Sequence, residues 1–214
     1  MPALPIPAGP PTEIRHSPLL RTTGTATAVA RAMAAPDGMG VSVPLVPDPG
    51  FLEIAQGEWE GRPIAEIETR WADVLAGWRS DPLAHWAPGG EPITAVDRRV
   101  RASLEGVLAD LRFRSVGTDQ PGSQVLGYGG PPSGEPWILI VGHDGVFKIT
   151  LLALLGLPLE RFWSFPFALT GISVIEIRAG RPRLRAHNLT DHLRALETER
   201  RQVLDAERSR SGAL

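Results

Sequence analysis

Residues 136–156 read "PWILIVGHDGVFKITLLALLG". The run Trp137–Val141 is continuously apolar and is bounded by Pro136 and Gly142, the pattern of a strand buried on both faces of a parallel sheet. Gly142-His143-Asp144-Gly145 then breaks the run, and the apolar residues of 145–156 predict a helix that stops at Gly156. A strand, a histidine and a helix in immediate succession mark a βα unit, with His143 at the strand's carboxyl end. In α/β folds ligands gather at that edge of the sheet, so His143 is placed to present a ring N–H to an oxyanion.

Working outward, the same alternation recurs. "TEIRHS" (12–17) predicts a short strand, and Ser17-Pro18 has the chemistry of a helix start, Ser as N-cap and Pro at the first helical position. The helix that follows contains Thr22, Thr23, Gly24, Thr25 and Thr27, mediocre helix formers, so packing rather than propensity must hold it. Residues 36–50 are rich in Pro and Gly and predict a loop with a short strand at "VSVPLV" (41–46). Ile64, Ile67, Trp71, Leu75 and Trp78 recur at helical spacing and predict one helix over 64–78. Val96, Val100, Leu104, Val107 and Leu111 predict another. Residues 115–136 predict a mobile loop, and 172–189 two strands around a turn at Gly180. Strands alternating with helices imply an α/β sandwich.

Composition narrows the function. The 214-residue chain is 43% hydrophobic and 21% charged, a globular balance. Its formal net charge of −2 offers no bulk field for nucleic acid. Cys is absent, which removes disulfides, thiolate metal sites and Cys nucleophiles. The most apolar run, 149–159, is interrupted by Gly156 and Pro158 and is too short to span a bilayer, and "MPALPIPAGPP" lacks the build of a secretion signal. These features predict a soluble, cytoplasmic protein with no nucleic-acid or membrane partner. Residues 1–12 are expected to be a flexible Pro-rich leader, 13–193 the domain, and 194–214 a charged helix or tail; oligomeric state is not readable.

Four stretches carry candidate chemistry. Ser17-Pro18-Leu19-Leu20-Arg21 offers an anion the N–H groups of a helix start and a guanidinium. In "LEIAQGEWEG" (52–61), Glu53 lies between apolar neighbours, which suits it to donate a proton to a leaving oxygen, and Gly57 and Gly61 allow tight turns around it. Val141-Gly142-His143-Asp144-Gly145 supplies the strand-end histidine. Pro88-Gly89-Gly90-Glu91 is a structural turn before a helix.

Together, in this order, these stretches closely resemble the histidine phosphatase superfamily, the phosphoglycerate mutase-like proteins. "SPLLRTTGTA" is similar to the family's Ser-x-Leu-x-Arg-Ala segment, "LEIAQGEWEG" to its Leu-x-Glu segment, and "VGHDGV" to its second-histidine motif, over about Glu13 to His192. The resemblance implies a three-layer α/β/α sandwich with a mostly parallel sheet. It also implies hydrolysis of a small phosphomonoester through a phosphohistidine, with neither metal nor cofactor. Carried over by residue, Ser17, Arg21 and His143 bind phosphate, and Glu53 and His143 take part in catalysis, Glu53 as acid and base. A non-catalytic phosphate-ligand module and a mutase-type phosphotransferase are the alternatives.

One part of the pattern is missing. Relatives carry the nucleophile in an Arg-His-Gly motif on a first strand that precedes the Ser-x-Leu-x-Arg segment, and nothing before residue 13 matches it or its helix. Arg15-His16 is the alternative, but Ser17 follows it where a glycine would let backbone approach phosphate, and Ser17–Arg21 already matches the second segment. His16 is therefore expected to be a strand-end bystander. The chain is expected to be impaired in turnover, either as an N-terminally incomplete sequence or as a degenerate member.

Overall fold

A computed structural model describes residues 6–7, 9–115, 134–194 and 198. Three short strands, β1 (Ile14–His16), β2 (Leu45–Pro47) and β3 (Leu139–Val141), form a parallel sheet in the order β2-β1-β3. Among the described residues the α-helices are α1 (Leu20–Ala34), α2 (Ile64–Arg70), α3 (Ala72–Ser80), α4 (Ile93–Ser115) and α5 (Asp144–Leu155).

Alternation along β1 divides the interior into two layers. Ile14 packs with Ala26, Val29, Ala30 and Met33 of α1, and Leu139 and Val141 of β3 join that cluster. The intervening Ile140 packs on the other side, into the larger core of Phe51, Trp78, Val96, Val100, Ile149 and Phe162. Arg15 also points away from α1 and pairs with Asp48 and with Asp110 of α4. The period of two thus makes an α/β/α sandwich, with helices on both faces of the sheet.

The chain forms two compact units, 6–166 and a second made chiefly of 167–214; the division falls inside the span 13–193 expected as one domain. In the second unit β4 (Ile172–Arg178) pairs antiparallel with β5 (Arg181–Leu189), with Ala179 (φ 47°) and Gly180 (φ 71°) forming a tight turn. Residues 116–133, where the mobile loop was expected, and nearly all of 194–214 lie outside the described residues. In the leader, Thr12 N–H and Oγ1–H both reach Trp137 O, while Trp137 Nε1–H reaches Gly9 O, so residues 9–12 are tied down beside the start of β3.

Three local expectations are corrected. The single helix expected over 64–78 is two, because Trp71 leaves the helical region (φ −133°, ψ 38°); Arg62 and Arg70 stack their guanidiniums over its ring, at 5.5 and 4.5 Å from the centroid. Ile67, Leu75 and Trp78 are still buried. Leu139, Ile140 and Val141 are half-buried rather than buried on both faces; among the described residues β3 pairs only with β1. Finally, α1 begins at Leu20, without a side-chain cap, so Ser17 and Pro18 stand outside the helix they were expected to start.

Candidate active site

The site is built at the carboxyl edge of the sheet, where β1 delivers His16-Ser17 and β3 delivers His143. Register makes them neighbours: His16 pairs with Val141, two residues before His143. Ser17 N–H donates to Val141 O at 3.0 Å, which extends the ladder one step and brings Ser17 against His143.

Ser17 misses its capping role because its hydroxyl has another partner. His143 Nε2 lies 2.9 Å from Ser17 Oγ, and Leu19 N–H reaches the same oxygen at 3.4 Å. Thr22 Oγ1–H meanwhile takes up the carbonyls of Ser17 and Leu19, so the chain is steered into α1 two residues later than the sequence suggests. Arg21, exposed and second in α1, donates from Nε to His143 Nδ1 at 3.2 Å.

These bonds define the state of the His143 ring. A guanidinium only donates, so Nδ1 carries a lone pair and the ring's single proton sits on Nε2, donated to Ser17. Burial, reinforced by the positive charges of Arg21 and Arg99, pushes His143 down to about 4. With 8% of its surface exposed, the ring is neutral at physiological pH.

Glu53 approaches from the segment between the 3₁₀ turns Pro49–Phe51 and Gly57–Trp59. Its carboxylate receives the N–H groups of Val146 at 3.0 Å and Gly145 at 3.3 Å, the open N-terminus of α5, and that of Ile54 at 3.0 Å. Negative charge is favoured there by the free N–H groups and the helix dipole. Gly145 is required for the approach, since a Cβ there would sit 2.7 Å from Glu53 Oε1. Gly57 is required for the turn behind it, having φ +49° and space for a Cβ only 2.3 Å from Pro88 O. That contact, with Glu91 N–H on Ala55 O at 2.9 Å, places the Pro88–Glu91 turn against the Glu53 segment.

The residue that fastens this segment is one that sequence reasoning missed. Arg99 of α4 donates Nη1 to Gly50 O and Leu52 O, both at 2.8 Å, and Nη2 to Glu53 O at 3.3 Å. Glu91 grips the same guanidinium with both carboxylate oxygens, at 3.0 and 2.9 Å. Glu91 is therefore structural, as expected, but as the partner of Arg99. A clue is present in the sequence: Arg99 stands three residues after Val96, on the apolar seam of α4, where a charge needs a partner.

His16 lies on the α1 side of the sheet and is 5% exposed. Its Nδ1 is 2.8 Å from Ser17 O and 3.4 Å from Thr23 Oγ1. A carbonyl only accepts, so Nδ1 holds the proton. His16 thus reaches the backbone of Ser17 and the side chain of Thr23, whereas the side chains of Ser17, Arg21 and His143 form one connected cluster. Beside Glu53 opens a cavity of about 230 Å³, lined also by Gln56, Lys148 and Trp163. Lys148, 6% exposed, is salt-bridged to Asp144 and lies 5.1 Å from the centre of the Trp163 ring.

The protein is thus an α/β sandwich whose parallel sheet gathers, at its carboxyl edge, an arginine, a neutral histidine and a carboxylate on a helix N-terminus. The chain belongs to the histidine phosphatase superfamily, branch 1, whose family model matches residues 6–116 and 130–190. It is 26% identical over 180 residues to phosphoserine phosphatase 1 of Hydrogenobacter thermophilus, covering 84% of this chain and 71% of that protein. It is 27% identical over 150 residues to glucosyl-3-phosphoglycerate phosphatase of Mycolicibacterium vanbaalenii, covering 69% of this chain and 58% of that one. Among solved structures, the mycobacterial glucosyl-3-phosphoglycerate phosphatase in complex with VO3 superposes with a TM-score of 0.65 at 21% identity, over 84% of this chain and 78% of that chain. The alpha-ribazole phosphatase of Shigella flexneri gives 0.62 at 22% identity, over 85% and 75%. No helix among the described residues is long and apolar enough to cross a membrane.

Proposed function

We propose that this chain binds small phosphomonoesters between Arg21, His143 and Glu53, and that its chemistry is that of a phosphatase rather than a mutase. The observation that carries this reading is the Arg21–His143 pair: an exposed guanidinium and a neutral imidazole, bonded to each other through nitrogens that a phosphoryl oxygen can engage instead. The phosphatase names of the relatives support hydrolysis. In the family's chemistry a histidine nitrogen attacks phosphorus as the bond to the alcohol oxygen breaks, and a carboxylic acid protonates that oxygen. Water, deprotonated by the same carboxylate, then releases phosphate. Glu53 takes the acid–base role, and the cavity beside it has room for a small alcohol.

Neither histidine of the site has a free Nδ1 to attack phosphorus. His143 has a bond at each nitrogen, and His16 is nearly buried against Ser17 and Thr23. We therefore propose that the 214-residue chain binds phosphate analogues but hydrolyses esters slowly, which leaves a regulatory phosphate-binding role as the second reading. Titration with vanadate tests the site: Arg21→Ala is expected to weaken binding about tenfold or more, and unchanged binding would remove Arg21 from it. Hydrolysis of an aryl phosphate is expected to be slow and indifferent to His16→Ala. Rapid hydrolysis that this substitution abolishes, with the fold intact, would make His16 the nucleophile.

A further inference from the structure

Every hydrogen-bonding position of the His143 ring is occupied in the site as described. Nδ1 accepts from Arg21, and Nε2–H is donated to Ser17. Ser17 is completely buried, and its oxygen faces the ring and Leu19 N–H rather than the solvent that a phosphoryl group must cross. It is poorly placed to touch phosphate and well placed to hold the ring.

An anion arriving at Arg21 changes the balance. The exposed guanidinium turns its N–H groups to the anion, because charge-assisted bonds to an oxyanion are stronger than a bond to a neutral imidazole nitrogen. Nδ1 then loses its donor and its lone pair confronts an anionic oxygen, a repulsive contact that a proton on Nδ1 converts into a hydrogen bond. We propose that Ser17 is a positioning residue that fixes His143 by Nε2, and that binding of a phosphoryl dianion at Arg21 is coupled to uptake of one proton at His143 Nδ1. The proton comes from solvent, the ring becomes an imidazolium that donates to the anion, and no bond to phosphorus is made or broken.

The charges around the ring agree with this. Arg21 comes from α1 and Arg99 from α4, and both disfavour a proton in the empty site. Glu53 is neutralised in part by the N-terminus of α5, and Asp144 is tied to Lys148. A dianion beside Arg21 offsets both guanidiniums and lifts the ring from about 4 towards its ordinary value and above it.

The inference rests on the anion site proposed above, and the test separates the two. Protein labelled with ¹⁵N-histidine is titrated with tungstate, a tetrahedral dianion above neutral pH, with His143→Gln identifying the resonance. In the free protein His143 is expected to be neutral with its proton on Nε2; with tungstate both nitrogens are expected to be protonated. Calorimetry in two buffers of different ionisation enthalpy should give about one proton taken up per anion. Ser17→Ala should mix the tautomers of the free ring and weaken tungstate binding about tenfold, and Ser17→Thr should restore both. A purely packing role for Ser17 would lower stability without moving the tautomer. Tungstate binding with a ring that stays neutral, or a Ser17→Ala protein with unchanged tautomer and affinity, overturns the inference and leaves the anion site standing. Wild-type protein that binds no tungstate overturns the proposed function, and the coupling with it.

Discussion

The two halves of the site are held in opposite ways. Around His143 the bonds run from side chain to side chain, Arg21 to ring and ring to Ser17. Around Glu53 they run to backbone: Arg99 ties three carbonyls of the 50–53 segment, and the backbone N–H groups of residues 54, 145 and 146 hold the carboxylate. The first arrangement can be exchanged for bonds to a ligand by rotating one side chain. The second cannot be exchanged without moving a loop. The difference matches the tasks proposed for them, since an anion must displace something to bind, whereas a proton donor is most effective when preorganised.

The strongest way to break the contrast is Arg99→Ala. It strands three carbonyls and the Glu91 carboxylate, so a loss of about 3 kcal/mol is expected by urea unfolding. Removing that positive charge should also raise the pH at which the His143 ring takes up a proton, read by ¹⁵N NMR. A stability change within error would show the 50–53 segment to be held by its own packing.

A second test uses pH on the exchangeable half. An unfolded histidine takes its proton near 6.5, but His143 in the folded protein resists protonation until about 4. Between those values the unfolded state binds the extra proton, so stability is full above 6.5, falls as pH drops from 6.5 to 4, and loses nothing further from this group below 4. The loss is expected to reach at most about 3 kcal/mol. Comparing the urea midpoints of wild type and His143→Gln isolates it from the carboxylates that titrate below pH 5. Equal slopes in the two proteins would mean that His143 is not held neutral.

Glu53→Gln should have the smallest effect on the fold. It removes a charge from the N-terminus of α5, worth about 0.5–1 kcal/mol and a melting shift of roughly 1–4 °C. Tungstate or vanadate affinity should hold or improve, because the anion site loses a negative neighbour. A marked loss of anion binding would place Glu53 among the anion's ligands.

The local patterns that were legible in the sequence concern single elements. The apolar run of 137–141 and the stop at Gly156 located β3 and α5, and "EIRHS" located β1. The seam Val96, Val100, Leu104 and Val107 is buried as its spacing required. The stretches around Arg21, Glu53 and His143 stand out in the sequence because each combines a local structural signal with a chemically distinctive side chain, and these three residues are the ones proposed for the site. Arg99 was not readable in that way, because an arginine on a helix seam announces a need for partners without naming them.

What the sequence alone determined is the order of strands and helices, the strand-end position of His143 and the family resemblance, since these depend on neighbours a few residues away. The tertiary structure decided the rest. Ser17 forgoes its cap because His143, 126 residues away in sequence, claims its hydroxyl. Arg21 defines the neutral tautomer of a ring 122 residues distant, and Arg99 fastens carbonyls 46 to 49 residues before it. Such bonds form only after the sheet has brought β1 and β3 into register and α4 has packed behind it, so no local propensity encodes them.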